Sequence, residues 1–231
     1  MKRILHPPTL TATVADAIRE TIFRGELQPG EPLREAELAE SLEVSRGTVR
    51  EALRLLQDER LVEVFPRRGA FVKTLSLRMA TELYTLRALI EPYALHLALE
   101  ADAYTPEDFE RMETLARQLG ELEQHGGDTY ETVEADVAFH RLICSRSDHQ
   151  LLLDIYRGLQ SLTRLFVFHI KLYQSDAYSD EPSHYEIFEA IRTGDPVHAA
   201  EVLRAHINAA GAALLIRMEE VDRQGVSLQE V

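Results

Sequence analysis

Apolar residues recur three and four positions apart through most of the chain. In TATVADAIRETIFR, residues 11–24, Val14, Ala17, Ile18 and Ile22 share one helical face. Gly25 ends that pattern, and LQPGEPL reads as a turn built on Pro29 and Gly30. REAELAESL, residues 34–42, predicts a short second helix with Leu38 and Leu42 on one side. Ser45 is placed to cap a third, RGTVREALRLLQDE, residues 46–59, whose Val49, Leu53 and Leu56 face inward. The pattern then changes. Two β-prone runs, Leu61–Val64 and Ala70–Lys73, flank Phe65-Pro66-Arg67-Arg68-Gly69 and predict a hairpin.

Beyond Leu75 no strand pattern returns. Helical spacing predicts six further helices, at 77–101, 106–125, 129–146, 149–174, 183–193 and 196–221. Thr105-Pro106-Glu107-Asp108 is a helix start, with a cap, a proline in the first position and acids in the first turn. Gly126-Gly127 and Gly194-Asp195-Pro196 separate neighbours, and GVSLQEV at the end reads as a loose tail. The expected fold is mostly α: an N-terminal winged helix-turn-helix over residues 1–74, then an all-α antiparallel helical bundle over 75–231.

Charge supports the same division. The net charge is −14. Residues 1–74 hold 12 basic and 12 acidic side chains, and residues 75–231 hold 13 and 27, so the second part carries all of the excess. A phosphate-binding surface needs local positive charge rather than a basic chain, so nucleic acid stays open for the first part. The single cysteine, Cys144, excludes an intramolecular disulfide. The N-terminus lacks a signal-peptide pattern, and no apolar run approaches the ~18 residues of a membrane span. The expectation is a cytoplasmic protein with no membrane partner.

Three helices followed by a hairpin is the order of a winged helix-turn-helix, in which the second helix of the pair enters the major groove. Here that helix begins SRGTVREALR. Arg46 and Arg50 are four apart and face the same way, suited to guanine edges or phosphates. The hydroxyls of Ser45 and Thr48 suit phosphate contacts. Arg67 and Arg68 put two cations at the hairpin tip, where a wing meets the minor groove.

The run GEPLREAELAESLEVSRGTVREALRLLQDERLVEVFPRRGAFV resembles the DNA-binding domain of GntR-family transcription regulators nearly end to end, in particular the fatty-acid-regulator-like branch. The resemblance implies a homodimer on double-stranded operator DNA, with contacts from Arg34, Arg46, Arg50 and the wing around Gly69. Two positions depart from the family pattern. A small residue and then proline are usual where Gly47 and Thr48 stand, and glycine is common where Arg60 stands.

The second part carries candidate metal chemistry. Asp136 and His140 in DVAFH share one helix face; His184 opens a later helix and His206 rides the last one. One carboxylate and three imidazoles suit a divalent transition metal such as zinc or nickel. Spacing alone does not bring the last two histidines to the first pair. Residues 80–215 resemble the all-helical effector domain of the same regulators, the FCD domain, whose metal-binding members carry this Asp-x-x-x-His and these two later histidines. That resemblance implies one metal held by Asp136, His140, His184 and His206 beneath an effector cavity. It also implies that Arg87 points into the cavity and pairs with the carboxylate of a small organic acid. Arg141, Arg164 and Tyr173 are further candidates for its lining. Cys144, four residues past His140, is expected as a small buried residue rather than a thiol ligand.

Three functions fit such a chain. The first is a regulator whose operator affinity follows a small carboxylate effector bound at the metal. The second is a regulator that senses the metal itself or holds it structurally. The third is a metal-dependent hydrolase fused to a DNA-binding domain. No His-Glu-x-x-His, nucleophile elbow or phosphate loop is present, and Tyr185 separates His184 from Glu186, so the chain is expected not to be an enzyme.

Overall fold

Thr9 opens the first helix by accepting from the Ala12 N–H at 3.2 Å. The helix α1 (Leu10–Phe23) buries Ile18 and Ile22. A short α2 (Glu35–Ser41) turns through Glu43, at φ 53°, into α3 (Arg46–Asp58). Ser45 caps α3, accepting from Thr48 N at 3.1 Å. Val49, Ala52, Leu53 and Leu56 of α3 are buried, and the helix packs on both α1 and α2. Its end is closed by Arg60 N–H to Gln57 O and Leu61 N–H to Leu56 O, both 2.9 Å, which places Arg60 at φ 63°. That left-handed value is why glycine suits this position. The computed structural model describes residues 9–125, 129–170 and 182–223, in two units that divide after Thr74.

The hairpin forms one residue out of the expected bounds, as β2 (Val62–Phe65) and β3 (Gly69–Val72). Its tip is a turn closed by Arg68 N–H to Phe65 O at 3.1 Å, with Pro66 and then Arg67 at φ 65°. The segment read as a pure turn also supplies a two-residue strand, β1 (Pro32–Leu33), antiparallel to β3 in the order β1-β3-β2. Proline is tolerated there because the strand lies at the sheet's edge.

The second unit contains, among the described residues, α4 (Leu77–Glu100), α5 (Pro106–His125), α6 (Thr129–Ser145), α7 (Gln150–Ile170), α8 (His184–Arg192) and α9 (Pro196–Arg223). The last four residues expected for the 149–174 helix lie outside the described residues, as do Gly126-Gly127, Tyr173 and the C-terminal tail. The α4–α9 pair is the most extensive packing. Gly211 of α9 makes it possible: a Cβ there would sit 2.9 Å from the Cβ of Tyr84 on α4. Pro92 inside α4 offers no N–H to Ala88 O, and Arg204 Nε of α9 donates to that carbonyl at 3.4 Å instead. By length and composition α9 is apolar enough to cross a membrane, although no apolar run of that length is expected from the sequence. Its Leu203, Ile207, Leu214 and Met218 are buried in the bundle, so it serves as the core helix.

Candidate functional site

The bundle brings together the four residues of the expected ligand set. Asp136 and His140 lie one turn apart on α6. The Ser183 side chain caps α8 in a reciprocal box with Glu186 and sets His184 at the first helical position. His206 comes from the middle of α9. All four are buried, and one ligand atom from each lies within 4.8 Å of the others.

Hydrogen bonds decide which nitrogens face inward. His206 Nδ1 donates to Pro182 O at 2.7 Å, which leaves Nε2 to the cluster. His140 Nδ1 donates to Glu91 Oε2 at 2.6 Å. His140 Nε2 is buried with no hydrogen-bond partner, 3.6 Å from Asp136 Oδ1. His184 Nε2 lies 3.0 Å from the same oxygen. A buried imidazole nitrogen is rarely left without a partner, and a cation among these atoms would satisfy it. The three-nitrogen, one-oxygen donor set therefore fits a divalent transition metal. Burial alone would raise the Asp136 carboxyl, but His140 and His184 outweigh it and hold it well below the usual carboxylate range.

Glu91, which the sequence reading missed, sits beside this cluster. It is fully buried on α4, and its second oxygen, Oε1, accepts from Arg87 Nε at 2.6 Å. Arg87 is buried as well and lies 5.0 Å from the Tyr84 ring centroid. Burial would push Glu91 up, but Arg87 and then His140 outweigh it and hold the carboxyl at about 2. The available signal was the i, i+4 spacing of opposite charges within an apolar helix. A small cavity adjoins the centre, lined by Arg87, Asp136, Val137, His140, Tyr156, Gln160 and Thr163. Its free space is no more than about one water needs. The Gln160 amide nitrogen is buried there without a hydrogen-bond partner.

Other expected lining residues fall elsewhere. Arg164 forms a two-point pair with Glu134, at 2.8 and 2.9 Å, and Arg141 is exposed. Cys144 is buried against Ala94, Leu152 and Tyr156 and is not among the converging ligands.

On the first unit, Arg46, Arg50, Arg67 and Arg68 are all exposed. Arg50 is clamped by Glu35 of α2, with Nε to Oε1 at 2.9 Å and Nη2 to Oε2 at 2.6 Å. Arg34 pairs with Glu37 at 2.9 Å. The Ser45 and Thr48 hydroxyls lie 2.9 Å apart. Arg68 lies over the Phe65 and Phe71 rings at 5.5 and 5.7 Å. Gly69 adopts φ 98° with no atom near the place of a Cβ, so conformation rather than space favours glycine there.

Two family models match the chain: bacterial regulatory proteins of the gntR family over residues 10–72, and the FCD domain over residues 82–209. LutR, an HTH-type transcriptional regulator of Bacillus subtilis (strain 168), is 29% identical over 212 residues, covering 80% of this chain and 92% of its own. The "Probable D-xylose utilization operon transcriptional repressor" of Paenarthrobacter nicotinovorans is 30% identical over 207 residues, covering 87% of each. Among solved structures, a GntR transcriptional regulator from Rhodococcus sp. RHA1 superposes with a TM-score of 0.72 at 27% identity, covering 89% of this chain and 97% of that one.

Proposed function

The chain belongs to the GntR family of DNA-binding transcription regulators, with an FCD domain as its second part, and from that premise we propose that a small carboxylate at a metal centre controls its operator affinity. The observation that carries the metal is the convergence of Asp136, His140, His184 and His206 around an unpartnered His140 Nε2. Zinc or nickel suits those donors. When bound, the ion supplies positive charge and a position for an anionic oxygen.

Charge argues for an acid. Without metal the buried centre holds two carboxylates, Glu91 and Asp136, and one guanidinium, Arg87. A divalent ion turns that balance from one negative charge to one positive. An unbalanced buried charge is strongly disfavoured, so a monoanion is the natural complement. Arg87 keeps donors beyond the Nε that Glu91 takes. Gln160 offers a further polar contact.

On DNA, α3 reads the major groove through Arg46 and Arg50, with Ser45, Thr48 and Arg34 on the backbone. Arg67, Arg68 and Gly69 form the wing. Each unit is expected to work as a domain, residues 1–74 and 75–231, in the cytoplasm and without catalysis. A second copy is expected over an apolar stripe formed by Leu86, Leu89 and Tyr93 of α4 with Leu151 and Ile155 of α7, all exposed. Tyr93 also meets His149, the residue just before α7, edge to face.

The cavity's size favours a second reading, in which the ion is itself the signal and no organic effector binds. Elemental analysis of protein purified without chelator is the first test. About one equivalent of zinc or nickel per chain, lost in His140→Ala with His206→Ala, is expected. Small carboxylic acids should then alter promoter binding by the metal-loaded protein. Metal without any acid response favours the second reading. No metal, and no thermal stabilisation by zinc or nickel, removes both and leaves DNA binding standing.

A further inference from the structure

We propose that Glu91 is the positioning residue that joins the metal centre to the anion site: one oxygen fixes His140 with Nε2 toward the ion, and the other holds Arg87. The inference rests on the metal reading above. It concerns a residue outside the ligand set, on a helix that contributes no ligand.

The bonds run in one line. Arg87 Nε donates to Glu91 Oε1 at 2.6 Å, and His140 Nδ1 donates to Glu91 Oε2 at 2.6 Å. A buried i, i+4 ion pair on α4 needs only the first bond. The second crosses to α6 and selects the tautomer of His140 that leaves Nε2 as a lone-pair donor. His206 is held in the same tautomer by the Pro182 carbonyl. A carboxylate partner does more than a carbonyl, because its charge makes the imidazole a stronger ligand. Glu91 is also the acceptor that an incoming anion must share or displace at Arg87. An anion and an ion that both act on one carboxylate are thermodynamically coupled, and the coupling is reciprocal.

The experiment measures zinc affinity by chelator competition in the full-length protein, with nitrogen NMR of the histidine rings in the metal-free state. Glu91→Gln keeps an acceptor for one neighbour only and should weaken zinc by about 10–100-fold. Arg87→Met removes a buried positive charge near the ion and leaves Glu91 wholly to His140, so it should tighten zinc several-fold. A purely structural pair would weaken zinc in both variants, so the opposite signs are the signature. In wild type, His140 should carry its proton on Nδ1. Zinc affinity unchanged in Glu91→Gln, weakened affinity in Arg87→Met, or a His140 protonated on Nε2 each overturns the proposal. Should Glu91→Gln fail to fold, Arg87→Met and the wild-type tautomer still decide. A wild type that binds no zinc overturns the metal reading and this proposal with it. Normal wild-type binding with insensitive variants overturns this proposal alone.

Discussion

Replacing Arg87 by methionine tests how strongly the buried charges depend on one another. Methionine keeps an unbranched stem of similar reach, so little cavity is opened and the main loss is the guanidinium. Glu91 is held at about 2 against an ordinary 4.5. Each tenfold change in that equilibrium corresponds to about 1.4 kcal/mol. Arg87, and less so the His140 N–H, therefore stabilise its charged form by about 3 kcal/mol beyond what burial opposes. Removing one partner of a buried pair costs about 3–5 kcal/mol by comparison with measured cases. Arg87→Met should thus destabilise the metal-free protein by about 3 kcal/mol in urea unfolding followed by circular dichroism. The folded-state value of Glu91 is depressed, so its contribution is complete above the ordinary carboxylate value and is lost as pH falls. The wild-type contribution of Glu91 should hold steady above 4.5 and fade as pH falls toward 2, so the gap closes in acid. Arg87→Met with Glu91→Leu should recover most of the loss. About 1 kcal/mol should remain, because His140 Nδ1 loses its acceptor. A single variant that loses under about 1 kcal/mol, or a double variant no better than the single, would refute the reasoning.

Glu35→Gln releases Arg50 from its two-point clamp and removes a negative charge beside α3, the helix proposed to read DNA. Promoter binding by fluorescence anisotropy should tighten by no more than about fivefold, since exposed pairs are weak; weaker binding would mean that Glu35 aims Arg50 instead. Arg60→Gly relieves a left-handed residue at φ 63° and should raise the stability of the DNA-binding unit by about 0.5–1 kcal/mol in thermal unfolding. Gly211→Ala gains up to ~1 kcal/mol of helix propensity but drives a methyl to 2.9 Å from Tyr84 Cβ. Overpacking of about 1–3 kcal/mol should win, with a changed near-UV signal from the Tyr84 ring that lies beside Arg87; a stabilised variant would show that α4 and α9 separate easily.

Local rules made much of the fold legible. Ser45 before an apolar-periodic run marked the start of α3, and Gly194-Asp195-Pro196 marked the break between α8 and α9. The β1 strand escaped because Pro32 and Leu33 pair only through β3, about forty residues away, and a two-residue strand has no periodicity of its own. The site divided in the same way. Asp136 and His140 share a helix face by spacing, so their proximity is local. That His184 and His206 join them depends on how α6, α8 and α9 pack, which no spacing encodes; only the family resemblance supplied it. Glu91 was hidden because its partner on α6 is 49 residues away, while its local partner Arg87 makes it look like an ordinary helix pair. Arg50 likewise looked free in the sequence, since Glu35 lies on a different helix.

The buried polar groups set the centre apart from the rest of its unit. Arg87, Glu91, Asp136, His140, His184 and His206 are each at most 6% exposed, in a unit whose other buried side chains are mostly aliphatic or aromatic. Apolar residues of the same volume would often make such a core as stable or more so. Charges kept there at that disadvantage are characteristic of a binding site, where local conflicts with stability concentrate. The cavity beside them has room for about one water, so an acid of any size must move what lines it. The lining comes from α4, α6 and α7, and α4 is the helix that follows the DNA-binding unit after only Leu75 and Ser76. An effector able to prise Arg87 from Glu91 therefore acts on that helix. Its leverage is limited to the difference between its affinities for the closed and the opened arrangement.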